Sequence, residues 1–186
     1  GDFVIGKYTM NTMDTILLFT DKGNYLYIPI HELPDLKWKD LGKHVSNIIT
    51  VSSDENVIGS IPVYDFNSNK YITMFSKNGM VKRTSLSEFK ALRYSKPICS
   101  MKLKGDDLVT NITDKDLEYT MITTKNGYVL TFKTDEIPVV GLKTSGVKSI
   151  SLKDDEVVSG ILFDSKVAEF ITIITDKGTG KRMRFS

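Results

Sequence analysis

Ser76-Lys77-Asn78-Gly79-Met80-Val81-Lys82-Arg83-Thr84-Ser85-Leu86-Ser87-Glu88-Phe89 runs from the end of one strand, through a turn, into a second strand. Asn-Gly between β-type runs is a strong hairpin signal, because both residues tolerate the positive φ of a tight type I′ turn. Two adjacent cations, Lys82 and Arg83, sit on the outgoing strand, and Glu88-Phe89 follows. The pattern recurs along the chain. Thr20-Asp21-Lys22-Gly23, Thr124-Lys125-Asn126-Gly127 and Thr175-Asp176-Lys177-Gly178 repeat the turn, and the successive glycines lie 56, 48 and 51 residues apart. Nine residues beyond each of the first three glycines stands a Glu with an apolar neighbour: Glu32-Leu33, Glu88-Phe89 and Glu136-Ile137. A period near fifty residues points to a propeller or a related array.

Each period reads as four strands. The first follows an acidic cluster, at 57–61, 108–112 and 157–161, with 3–6 as its counterpart near the start. The second and third form the hairpin: 15–19 into 25–28, 71–75 into 80–84, 119–123 into 128–132, and 170–174 into 180–185. The fourth comes after a polar, partly basic loop, at 45–51, 98–103 and 147–152. β-branched and aromatic residues dominate the hairpin runs, as half-buried strands require. Residues 30–36, 86–92 and 134–137 each have a Ser, His or Thr near a Glu, which suits one capped turn, and Pro34 and Pro138 stop two of them early. The expected fold is all-β, a propeller-like disc of four-stranded blades with about fifty residues per repeat. One domain is expected, with repeats at about 2–52, 56–104, 107–152 and 156–186, the last incomplete and the whole a fragment of a larger disc.

The 186 residues are 40% hydrophobic, enough for an ordinary core. The single cysteine, Cys99, excludes an internal disulfide and a cysteine-based zinc site. Flanked by Ile98 and Met101, it reads as a buried structural thiol in a reducing, cytosolic compartment. No apolar run approaches membrane-spanning length, so no membrane partner is expected. His31 and His44 lie on loops without metal-like or triad-like partners, and Gly178-Thr179-Gly180-Lys181 lacks the spacing of a phosphate loop. Asp106-Asp107 and Asp154-Asp155 recur at one place in the period, just before a strand, which is turn chemistry rather than a catalytic dyad. No catalytic residue, metal or cofactor is expected.

The net charge is only +2, but its distribution is uneven. Between Lys82 and Lys104 the cations Lys82, Arg83, Lys90, Arg93, Lys96, Lys102 and Lys104 face the single acid Glu88. Lys82-Arg83 and Lys181-Arg182 occupy positions where the other repeats have Leu26-Tyr27 and Leu130-Thr131, so the fold does not demand cations there. Lys143 and Lys148 occupy the loop and strand after the third Glu-apolar pair, and Arg184 follows the last hairpin pair. Stacked in a ring, equivalent positions fall on one circumference, an intermittent basic track suited to neutralising phosphates. These twelve residues are the candidate polyanion-binding set. Tyr71, Tyr94 and Tyr119 read as packing residues rather than base-stacking platforms.

Gly79-Met80-Val81-Lys82-Arg83-Thr84 with Glu88-Phe89, Gly146-Val147-Lys148-Ser149-Ile150 with Asp155-Glu156-Val157-Val158, and Gly178-Thr179-Gly180-Lys181-Arg182 resemble the C-terminal repeats of type IIA topoisomerase A subunits. Asp2-Phe3-Val4 through Leu17 to Gly23 fits the same family. The resemblance implies a β-pinwheel, a disc whose blades exchange strands and around whose basic edge double-stranded DNA is bent. It also implies a non-catalytic piece of an ATP-dependent enzyme, in which the DNA-cleaving Tyr lies in the rest of the same polypeptide and the ATPase in a partner B subunit. The address implied is the bacterial cytoplasm and nucleoid. The gyrase branch carries a Gln-Arg-Arg-Gly-Gly-Lys-Gly type box in a loop before a fourth strand. Here those loops read Trp38 to His44, Ala91 to Pro97 and Val140 to Gly146, and none is that box. Its absence favours the topoisomerase IV branch, although a gyrase fragment starting after its box would lack it too. The rival from another class is a propeller that serves as a platform for a partner protein.

Overall fold

A computed structural model describes residues 4–37, 39–166 and 170–184. In chain order the strands are β1 (Thr15–Thr20), β2 (Asn24–Pro29), β3 (Val57–Val63), β4 (Tyr71–Ser76), β5 (Met80–Ser85), β6 (Ile98–Cys99) and β7 (Val109–Thr113). They continue as β8 (Tyr119–Thr124), β9 (Val129–Lys133), β10 (Val147–Lys148), β11 (Val157–Phe163), β12 (Phe170–Ile174) and β13 (Gly180–Arg184). The only helical pieces among the described residues are short 3-10 turns, at Ile30–Glu32, Val45–Asn47, Leu86–Phe89 and Thr134–Glu136. The all-β expectation holds, and a single short turn follows each of the first three hairpins, but the expected Ser, His or Thr caps do not form. The residues before these turns are Pro29, Ser85 and Lys133, and none caps with its side chain. None of these helical pieces is long and apolar enough to cross a membrane.

The hairpin turns differ in type from the sequence expectation. Only the glycine of each turn has positive φ, between 74 and 87° at Gly23, Gly79, Gly127 and Gly178, so Asn78 does not share it. The amide of Gly79 donates to Ser76 O at 3.0 Å, which closes a turn over Lys77-Asn78 before the left-handed glycine. This is the three-residue loop with a glycine bulge, not a two-residue type I′ turn. The leading Ser or Thr is needed because its hydroxyl accepts the amide just past the glycine: Asn24 on Thr20, Met80 on Ser76, Tyr128 on Thr124 and Thr179 on Thr175.

The first three sheets are each assembled from successive repeats. The orders are β3-β1-β2-β6, β7-β4-β5-β10, β11-β8-β9 and β12-β13. A hairpin is therefore flanked by the first and fourth strands of the repeat that follows it: Leu17 faces Ile61 on β3, and Tyr25 faces Ile98 on β6. Val147 on β10 likewise faces Val81 on β5. This handover explains two corrections. Residues 4–6 form no strand and 45–51 form only a 3-10 turn, because within this chain no earlier hairpin offers them an edge. The fourth strands that do pair shrink to two residues each, Ile98–Cys99 and Val147–Lys148. Phe3 and Phe185, both assigned to strands from sequence, lie outside the described residues.

The recurrent acids lock one repeat onto the next. Asp107 accepts the Ser76 hydroxyl at 2.7 Å and the Asn78 amide at 2.8 Å, clamping the turn of the preceding hairpin. Asp155 accepts the Asn126 amide at 3.0 Å, and Glu55 accepts the Thr20 hydroxyl and the Asn24 side-chain amide. Cores fill the spaces between sheets. Leu17, Phe19, Tyr25, Ile72, Met74 and Phe89 pack between the first and second sheets, with Phe89 edge-on to both Phe19 and Tyr25. Phe75, Val81, Ile122, Val157 and Leu162 pack between the second and third. Strands β3, β7 and β11 pack in turn against one another, so they lie innermost, and β6 and β10 lie at the opposite, outer edges.

Candidate nucleic-acid interface

The two adjacent cations of the second hairpin face inward. Successive side chains on a strand point to opposite faces, and β5 is packed on both. Lys82 is 0% exposed. Its Nζ donates to Ser100 O at 2.7 Å, Gly141 O at 2.9 Å and Thr144 O at 3.5 Å. Burial pushes its pKa down to about 8. Arg83 points the other way, over the Tyr71 ring at 4.5 Å, with Nη2 3.3 Å from Asp116 Oδ1 and Nη1 3.5 Å from Thr134 O. Lys82 is thus not a phosphate contact, and Arg83, 9% exposed and ion-paired, is nearly withdrawn from solvent. A signal for this was available: the equivalent Leu26 and Tyr27 are core-type residues, and both are buried.

The other ten candidates are exposed: Lys90, Arg93, Lys96, Lys102, Lys104, Lys143, Lys148, Lys181, Arg182 and Arg184. Among the described residues none of the ten is ion-paired; the acids that do pair are Asp54, Asp116 and Glu156, with Lys22, Arg83, Lys77 and Lys125. Arg182 and Arg184 lie over Phe170, with their guanidinium carbons 4.4 and 5.8 Å from the ring centre. Lys96, Lys102 and Lys104 flank the outer strand β6, and Lys148 is in the outer strand β10. The loop carrying Arg93 is pinned from both sides. Ala91 packs into the core, and the Tyr94 hydroxyl donates to Glu32 Oε1 at 3.0 Å while its ring lies 5.0 Å from Tyr27. The Glu32 contact holds the Tyr94 phenol above its ordinary pKa. Tyr71 under Arg83 and Tyr119 on Phe163 also pack against protein. Lys37 and Lys43, exposed in the corresponding first loop, were missed by the sequence reading, although they follow the same Glu-apolar pair.

The loop before β10 joins this surface to the buried Lys82. Lys102 N donates to Thr144 O at 3.0 Å, and the Thr144 hydroxyl donates to Gly141 O at 2.8 Å. Gly146 has φ 75°, and a Cβ there would stand 2.2 Å from Val81 O, so only glycine lets the loop lie this close to β5.

Little here supports chemistry on a small molecule. Among the described residues no three His, Cys, Asp or Glu side chains gather as a metal site. One cleft, lined by Ile61, Val63, Tyr71, Ile72, Leu86 and Asp114, has a volume of about 120 Å³. Another, lined by Val129, Ile173, Lys181 and Met183, reaches about 480 Å³, within the usual range of about 300–1,000 Å³ for small-molecule sites. Among the described residues no cluster of catalytic or metal-binding side chains gathers in either. Cys99 is half-buried in β6 rather than fully enclosed.

Comparison with known proteins agrees with this architecture. The chain matches the family described as DNA gyrase C-terminal domain, beta-propeller, over residues 14–63, 70–113, 118–163 and 169–186. It is 44% identical to the A subunit of DNA topoisomerase 4 from Bacillus subtilis (strain 168) over 188 residues, all of this chain and 23% of the relative. It is 41% identical to the Staphylococcus aureus counterpart over 189 residues, again 23% of that protein. The chain thus spans under a quarter of the length of these relatives. The crystal structure of the C-terminal domain of DNA topoisomerase IV superposes with a TM-score of 0.88 at 46% identity, covering 94% of this chain and 55% of that one. The C-terminal domain of E. coli ParC matches with a TM-score of 0.80 at 16% identity, covering 94% of this chain and 71% of that one, a likeness of fold alone.

Proposed function

Because the chain belongs to the DNA gyrase C-terminal domain, beta-propeller, family, we propose that it binds double-stranded DNA along the outer edge of its blades and holds it bent. It acts as a non-catalytic domain of a topoisomerase IV A subunit. The observation that carries this reading is the charge arrangement. Glu55, Asp107 and Asp155 are committed to the turns between repeats, while ten exposed cations have no acid partner among the described residues. Cations so arranged release counterions from a phosphate backbone. Each contact helps offset a bending cost of roughly 1–6 kcal/mol for a short site. Sequence preference is weak, since the described residues offer no recognition helix to enter a groove. In the complete enzyme the DNA-cleaving Tyr lies in the rest of the same polypeptide, and ATP hydrolysis belongs to the partner B subunit. The assembly works in the bacterial cytoplasm on the nucleoid, where this domain presents the DNA segment to be acted on.

The test is binding to short and long duplexes across a salt series, with Lys90, Arg93, Lys96, Lys102, Lys143 and Lys148 replaced by Gln in a comparison protein. The expected result is a log–log slope of about −0.9 per phosphate contacted, flatter in the variant, with tighter binding to longer DNA. Absence of binding at low salt overturns the reading and favours a platform for a partner protein.

A further inference from the structure

Lys82 was expected on a DNA-facing rim, and it lies beneath one instead. Its ammonium reaches both ends of the Gly141–Thr144 turn and, in the same grip, Ser100 of the outer edge of the first sheet. Inside that turn stands Lys143, whose φ of 61° puts it in the left-handed region that side-chain-bearing residues seldom adopt. Two residues beyond Ser100 stands Lys102, whose amide is bonded to Thr144 O. Both Lys102 and Lys143 are exposed. One buried ammonium thus ties together the backbone segments that present two solvent-facing lysines from successive repeats. Glu88 Oε2 lies 3.9 Å from where a Cβ on Gly141 would stand.

We propose that Lys82 is a positioning residue, and that it fixes Lys102 and Lys143 as one composite site for a backbone phosphate of duplex DNA at the junction between two blades. This rests on the DNA-binding reading above and adds to it the way in which successive repeats share a contact. Two ammonium groups on segments that cross at one hydrogen bond repel each other, and a phosphate between them relieves that repulsion. Without the tie, the turn relaxes from its left-handed residue and the pair is presented in many arrangements. Ordering it then falls on the binding step and weakens it. The buried charge adds to the field below the pair without touching the ligand.

The test is a double-mutant cycle on the full chain with a duplex of fixed length. Kd and its salt slope are compared for wild type, K143A, K82M and K82M/K143A. Methionine keeps an unbranched stem of similar length and removes only the ammonium. Losing one phosphate contact is expected to cost about eightfold in affinity at 0.1 M salt and to lower the slope by about 0.9. K143A should show that loss in wild type and little of it in the K82M background, while K82M itself flattens the slope although its side chain reaches no phosphate. Equal effects of K143A in both backgrounds, or an unchanged slope in folded K82M, overturn the proposal while leaving DNA binding intact. Failure of the wild type to bind DNA overturns both. Should K82M not fold, the cycle is run on K102A and K143A with Lys82 in place: one shared phosphate requires coupled losses, and additive losses refute the composite site.

Discussion

Replacing Gly160 by alanine tests the packing between the second and third sheets at one atom. Gly160 is buried in β11, opposite Ile122 on β8. A Cβ there would stand 2.3, 2.4 and 2.5 Å from three carbons of the Phe75 ring. Neither side yields easily. The Asn111 side chain holds the Gly160 backbone in both directions, donating to its carbonyl at 2.6 Å and accepting its amide at 3.0 Å. Phe75 is 1% exposed, inside the cluster with Val81, Ile122 and Leu162. Overpacking of this kind costs about 1–3 kcal/mol. Expelling the ring from its seat would forfeit burial worth about 1.5–3 kcal/mol, so we expect a loss near 3 kcal/mol. At about 2–4 °C per kcal/mol for a domain of this size, the melting temperature falls by roughly 6–12 °C. Gly59→Ala is the internal control, because its Cβ would meet only the outer carbons of the Ile112 side chain, at 3.1 and 3.2 Å. That side chain can turn aside, and alanine gains about 0.4–1 kcal/mol from a less mobile unfolded chain, so G59A should lie within about 1 kcal/mol of wild type. Urea denaturation followed by circular dichroism gives both values, with an unchanged m showing that the same surface unfolds. Equal effects of the two substitutions would refute the packing argument.

Two further outcomes follow from buried polar groups. D107A removes the acceptor for the Ser76 hydroxyl and the Asn78 amide. At about 1.5–3 kcal/mol for a hydrogen bond to a charged group, a loss near 3 kcal/mol is expected in denaturant titration, whereas D106A, at the exposed neighbour, should change stability by less than about 0.5 kcal/mol. For Lys82, with a folded pKa of about 8 against 10.5, the proton is held in both states below pH 8. Between those values only the unfolded chain holds it, so stability rises with pH across that window. Relative to K82M, wild type should gain up to roughly 3 kcal/mol between pH 8 and 10.5, at about 1.4 kcal/mol per unit; parallel stability curves for the two proteins would show that Lys82 does not titrate there.

The hairpins were legible because their signal is local. A leading Ser or Thr, a polar pair and a glycine each have a job within a few residues, and all four turns form as spaced. The acids before each first strand were also read correctly as turn chemistry, but not which turn they serve. Asp107 and Ser76 are 31 residues apart, and nothing in the composition of either segment names the other. The same distance problem hid the flanking pairs and made 45–51 look like a strand. The basic surface was legible in part. Charge alone suggested exposure for Lys82, yet a strand between two sheets buries both faces, and three backbone carbonyls substitute for water around its ammonium. Reading Leu26 and Tyr27 at the matching positions as a burial signal, rather than as mere absence of charge, would have moved Lys82 and Arg83 off the rim.

The handover of strands between repeats also sets a timetable for synthesis. Ser100 closes against Gly23 across 77 positions, and Ser149 against Gly79 across 70. A chain emerging from the ribosome therefore completes a hairpin long before the strand that covers its outer edge exists. For that interval each hairpin carries a row of unpaired amides and carbonyls, the feature that invites pairing with the wrong neighbour. In a polysome the most available wrong neighbour is the identical hairpin of the next nascent chain. The two-residue strands β6 and β10 then cover only part of the six-residue outer strands β2 and β5.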